Sequence, residues 1–88
     1  MREIFKCEAV SVSTTAKEIE CQHMGFMLAN PTADKTVYFC SADNGEKATA
    51  ANSFPVPPGT VLDTVFSAGK ISVIGSGAGA ELRILFID

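Results

Sequence analysis

Tryptophan is absent from this 88-residue sequence, and tyrosine and histidine occur once each, as Tyr38 and His23. A single histidine leaves any Ser–His or Cys–His catalytic pair dependent on His23, and no nucleophile elbow or comparable local signature surrounds a serine or a cysteine. Lack of tryptophan and a lone tyrosine leave little for stacking on sugars. That counts against the alternative reading, a small ligand- or carbohydrate-binding β-module, although it remains the second function class. Basic residues are few: seven Lys and Arg stand against ten Asp and Glu, for a net charge of −3, and they form no cluster. A nucleic-acid partner needs a phosphate-neutralising patch, so that class is disfavoured. Long apolar runs are missing too, and nothing approaches the roughly 18 residues of a membrane span. Charged residues occupy Met1–Lys6, where a signal peptide would need its apolar stretch, so synthesis and folding in the cytoplasm are expected.

Cysteine is scarce and odd in number. Cys7, Cys21 and Cys40 show no Cys-x-x-Cys spacing, which fits a reducing compartment and thiols acting as small hydrophobes. Cys21 and His23 alternate and could share one face of a strand, but a structural zinc site needs four ligands at paired spacings. No metal and no cofactor are expected. The acidic residues Glu3, Glu8, Glu18, Glu20, Asp43, Glu46, Asp63 and Glu81 are spread over strand ends and turns, and nothing marks two as a poised pair. The chain therefore reads as a non-enzyme.

What is present is apolar residue in short, alternating runs. Apolar residues make up 47% and charged ones 19%, with a mean hydropathy of +0.22. That is a large apolar share for one small domain, residues 1–88, and part of it is expected to meet other protein subunits, most simply in a homo-oligomer. The bland reading is that short alanine side chains account for the excess.

Period-two runs broken by turn residues predict seven or eight short strands, in a small antiparallel β-sandwich or partly open barrel. Ile4–Val12 alternates, and residues 1–16 read either as a first strand or as an N-terminal arm. Lys17–Cys21 sends Glu18 and Glu20 one way and Ile19 and Cys21 the other. Met24–Ala29 is nearly continuous apolar, the pattern of a strand buried on both faces. Asn30–Thr36 reads as a hairpin connection to the β-branched and aromatic run Thr36–Cys40. Glu46–Asn52 reads as a long loop, with a helical turn as the alternative. Phe54–Thr60 holds three prolines, which forbid a central strand and predict an extended sheet edge closing in a Pro58–Gly59 turn. Val61–Phe66, Ile71–Ile74 and Glu81–Ile87 are the last strands. The run Gly75-Ser76-Gly77-Ala78-Gly79-Ala80 matches the dinucleotide fingerprint, but the helix and second parallel strand that mechanism needs have no room before residue 88. A hairpin loop between the last two strands is the better reading.

The order of these features resembles small virion proteins of tailed bacteriophages and prophages. The elements that carry the likeness are Met27-Leu28-Ala29-Asn30-Pro31, Thr36-Val37-Tyr38-Phe39, Phe54–Thr60 and the closing run from Ile71 to Asp88. It spans roughly residues 24–88, and residues 1–16 fall outside it. The resemblance implies a β-sandwich that decorates a capsid or sits at the head–tail junction, located in the virion, with capsid or tail proteins as partners. It implies no catalytic residues. The interface candidates are Phe26, Leu28, Tyr38, Leu85 and Ile87, four from the two-faced apolar strands together with the single tyrosine.

Overall fold

Alternation in the last strand shows how the molecule is layered. In Ala80–Ile87, Leu82, Ile84 and Phe86 are buried, while Leu85 and Ile87 are only half-buried. A pleated strand sends successive side chains to opposite sides, so the even-numbered residues enter a core and the odd-numbered ones face outward. The computed structural model describes residues 5–21 and 25–87, and these form eight strands: β1 (Phe5–Val12), β2 (Lys17–Glu20), β3 (Gly25–Ala29), β4 (Val37–Ser41), β5 (Phe54–Val56), β6 (Val61–Phe66), β7 (Lys70–Gly75) and β8 (Ala80–Ile87). His23, and with it the Cys21/His23 reading, lies outside the described residues.

The strands pair antiparallel into two four-stranded sheets. Sheet A has the order β1-β8-β3-β6 and sheet B the order β2-β7-β4-β5. The fold is thus the predicted all-β sandwich, and its sheets do not close into a barrel. Every consecutive pair of strands except β4 and β5 changes sheet, which gives the two interlocked Greek keys of a jelly roll. The core between the sheets includes Phe26, Leu28, Leu82, Ile84 and Phe86 from sheet A and Val37, Phe39, Val56, Ile71 and Val73 from sheet B.

This winding corrects two expectations. Asn30–Thr36 does not close a hairpin: β3 lies in sheet A and β4 in sheet B, so the segment is an arch across the sandwich. Buried Asn30 ties it down. Its Nδ2 donates to the carbonyls of Lys35 (2.7 Å) and Val56 (2.8 Å), and its Oδ1 accepts from the Thr32 amide (3.0 Å). The glycine run is likewise an arch, from β7 in sheet B to β8 in sheet A. A Cβ on Gly75 would stand 2.8 Å from the Ala80 Cβ, because the two sheets approach each other at this corner. The Gly75 amide donates to the Ser13 carbonyl at 2.8 Å and the Ser76 amide to the Thr36 carbonyl at 2.9 Å, so three arches are knotted at one end of the molecule.

Other expectations match the structure. Residues 5–12 form a strand rather than an arm. β5 is a three-residue edge strand, and the turn after it carries the Thr60 amide to the Pro57 carbonyl (3.2 Å) with Gly59 at φ +70°, the position that suits glycine in a Pro-Gly type II turn. Between β4 and β5 runs a long loop without a helix.

Candidate protein-binding surfaces

The two outer faces of the sandwich differ. On sheet B, the long loop after β4 folds back over the sheet. Its Ala48 is 1% exposed, and the Ala48 amide donates to the Ser72 hydroxyl of β7 at 2.9 Å. Among the described residues, sheet A has no such cover. Its outward residues come from the register of the strands: Ile87 of β8 lies between Phe5 of β1 and Gly25 of β3, and Leu85 lies between Cys7 and Met27. At the far edge, Val61 of β6 lies beside Ala29. A shallow depression of about 170 Å³ runs across this face, lined by Cys7, Met27, Ala29, Val61, Arg83 and Leu85 among others. The charges on β8 neutralise each other, with Arg83 Nε donating to Glu81 Oε2 at 2.7 Å.

A second apolar feature is the open edge of the sandwich between β5 and β6. Here Phe39 packs edge-on against Phe54 (centroids 6.0 Å) and Phe66 (5.3 Å), and Phe66 stacks on Phe26 (5.8 Å). These rings join the two sheets, and a cleft of about 500 Å³ opens beside them, bounded also by Asn52, Leu62 and Thr64. The large exposed apolar side chains are Phe5 (69%), Phe54 (60%), Val61 (66%) and Val65 (58%), all on β1, β5 or β6, the edge strands. The opposite edge, between β1 and β2, is charged: its groove is lined by Glu8, Lys17, Glu18 and Glu20 among others. Charged side chains on an edge deter unwanted strand pairing.

The five interface candidates separate sharply. Phe26 and Leu28 are each 1% exposed and belong to the core, so they cannot meet a partner of the folded chain. The one-residue parity of a strand decides this: β3 presents Met27 outward and not its neighbours. β3 is therefore not covered on both faces. Leu85 and Ile87 do reach the outer face of sheet A, and Tyr38 is half-buried on the outside of sheet B. Phe5, Val61 and Val65 were missed as surface residues, although the period-two pattern of Val61–Phe66 carries the signal for the latter two.

The three cysteines are apart in role. Cys7 is exposed on the outer face of sheet A, Cys40 is partly buried and Cys21 is in the core. Burial, the largest cause, together with the nearby carboxylates Glu20, Asp43 and Glu8, pushes the Cys21 thiol up to about 11, against a weaker opposing hydrogen bond from the Ile71 backbone. Among the described residues, no three His, Cys, Asp or Glu side chains gather as a metal site would require.

No protein-family model matches the sequence, and no curated protein matches it. Among solved structures the fold is similar to a chain from Bacillus endospore appendages, which are described as a novel family of disulfide-linked pili. The TM-score is 0.54 at 17% identity, and the match covers 97% of this chain and 86% of that chain. At that identity the likeness is one of fold. That neighbour is a pilus protein and not a virion protein, so the likeness to phage proteins rests on the sequence features alone.

Proposed function

We propose that this chain is a non-enzymatic structural subunit that works through protein–protein contacts in a repeating assembly. The carrying observation is the largely apolar outer face of sheet A, uncovered among the described residues, set against a sheet B whose own loop covers part of it. A contiguous apolar face on a small domain marks an interaction surface. The fold likeness to an appendage subunit supports the same class. The finer reading is a capsid-decorating or head-associated subunit of a tailed phage or prophage particle, drawn from the order of motifs between residues 24 and 88. A subunit of a pilus-like appendage is the second reading, favoured by the fold likeness.

An antibody against the chain separates these. Purified induced particles and sheared surface appendages from the source cells are fractionated on a density gradient and probed. Co-migration with particles supports the first reading and co-migration with appendages the second. Signal confined to the soluble fraction overturns both.

A further inference from the structure

We infer that a second copy of this chain adds to the free edge of β1, its own β1 running antiparallel to the first about a two-fold axis through Cys7. The inference rests on the assembly reading above and names its first partner. Each sheet ends in two edge strands, and three of these four are poor templates for pairing. β5 is three residues long and holds Pro55. β2 is four residues long, and Lys17, Glu18 and Glu20 fill most of it. β6 joins β3 through a register shift and carries exposed Asp63. β1 is eight residues long, holds no proline and pairs with β8 without a break from Phe5 to Val12. Among the described residues no strand pairs with its other side, so the backbone N–H and C=O groups there can accept a further strand.

The charges on β1 choose which strand. Lys6 and Glu8 are exposed on one side of it, and among the described residues neither forms an ion pair within the chain. Residues opposite each other in an antiparallel pair share a side, so the two-fold axis must pass through a residue rather than between two. An axis at Cys7 sets Lys6 against Glu8 of the partner subunit and, by symmetry, Glu8 against Lys6 of the partner subunit. An axis at Lys6 or Glu8 sets like charges together, and one at Ala9 leaves Lys6 against a valine and Glu8 against another. Charges that deter a foreign strand at this edge therefore match a second β1 in one register. On the other side, that register lays Phe5, which is 69% exposed, against the small Ala9 of the partner subunit, and it brings the two Cys7 side chains together. Residues 5–9 of the two copies share about four to six backbone hydrogen bonds, so the dimer is reversible and depends on concentration. A two-fold contact closes on itself, leaving the aromatic cleft between β5 and β6 free for a different partner in the larger assembly.

Charge reversal and the chain's own thiols test this together. Sedimentation velocity over a roughly hundredfold range of concentration compares the parent chain with Lys6→Glu, with Glu8→Lys and with an equal mixture of the two variants. Both positions are exposed, so the fold is not at risk, and circular dichroism checks it. The expected result is a monomer–dimer equilibrium that either variant alone weakens about 10-fold, because each turns two attracting pairs into repelling ones. Mixing the variants restores opposite charges at both pairs and should bring association back to the parental level. Diamide, a thiol oxidant, then takes one hydrogen from each of two thiols. Opposed Cα atoms about 4.5–5.5 Å apart lie within the span of a disulfide, so the product should join Cys7 to Cys7, in step with the dimer fraction, with Cys40 as the internal control. Mass spectrometry of the unreduced peptides reads the linkage. An oligomer that ignores both reversals, is not rescued by mixing or is not linked through Cys7 overturns the inference and leaves the assembly reading intact. A chain that remains monomeric throughout, yet co-migrates with particles or appendages, also overturns it. A monomer that co-migrates with neither ends both.

Discussion

Replacing Asn30 by alanine should destabilise the fold by about 3 kcal/mol. The Asn30 side chain is 1% exposed and makes three hydrogen bonds to the backbone, two donated by Nδ2 to Lys35 and Val56 and one accepted by Oδ1 from Thr32. At about 1 kcal/mol net for each bond, the loss is about 3 kcal/mol, and water cannot easily replace the bond to Val56, which is buried. A chain of this length has a total stability of roughly 4–13 kcal/mol, so the variant loses a quarter or more of it. The melting temperature should fall by about 12–24 °C, at about 4–8 °C per kcal/mol for a domain of this size. Asn30→Asp separates hydrogen bonding from packing. It keeps the volume and the acceptor for Thr32 but turns an oxygen toward two carbonyls. Its carboxyl is then held above the usual value in the folded state, so the variant is weakest at neutral pH and regains stability as pH falls through that raised value toward about 4. Asn30→Ala has no such dependence. Urea unfolding followed by circular dichroism at pH 4 and pH 7 measures both. An alanine variant that loses less than about 1 kcal/mol, or an aspartate variant as stable as the parent at pH 7, refutes the role given to this side chain.

Within the glycine run, Gly75→Ala should cost about 1–3 kcal/mol because its Cβ would press on Ala80, whereas Gly77→Ala should be nearly neutral because only the flexible Lys35 side chain stands in the way; thermal melts of the two variants decide it. At pH 8 a thiol reagent should modify Cys7 readily and Cys21 only after unfolding, as timed labelling will show. Since the Cys21 thiol is raised from its ordinary 9.0 to about 11, the folded chain holds that proton where the unfolded chain releases it; stability should be level below pH 9 and decline toward pH 11, and Cys21→Ala should flatten that decline in alkaline unfolding curves. Leu82→Ala empties a fully buried site shared by the two sheets and should cost about 2–5 kcal/mol in urea unfolding.

Most strands were legible because period-two alternation and proline report directly on backbone geometry. Val61–Phe66 is a strand over those same residues, and the prolines beside Phe54 confine β5 to a short edge. What alternation reports is which side chains point inward. It does not report which sheet a strand joins. Ile71 and Val73 face the same core as Leu82 and Ile84 from the opposite side, and a four-residue glycine-rich link suits either a hairpin or an arch. The difference lies in contacts distant in sequence, such as the bonds from Gly75 to Ser13 and from Ser76 to Thr36. Asn30 shows the same limit. Its proline neighbour marks a turn, while its buried role depends on Val56, 26 residues away. The interface choice failed at Phe26 and Leu28 for a third reason: within an apolar run, size does not reveal facing, and only the register against β8 shows that Met27 is the outward residue.

The asymmetry between the two faces links the fold to the function proposed. A jelly roll of this size has two outer faces and one shared core, and its sequence must keep the outer faces soluble or give them partners. Sheet B follows the first course: Ser72 lies 2% exposed beneath its loop, and Glu18 on the outside pairs with Lys70. Sheet A also carries an outward charged pair, Arg83 with Glu81, but Met27, Leu85 and Val61 stand where a solvated sheet would place polar residues. Nothing in the core requires this choice, because residues on the outer face can change without touching Leu82, Ile84 or Phe86. A largely apolar outer face of this kind is the physical mark of a surface that contacts another protein, and it is the feature on which the proposed structural role rests.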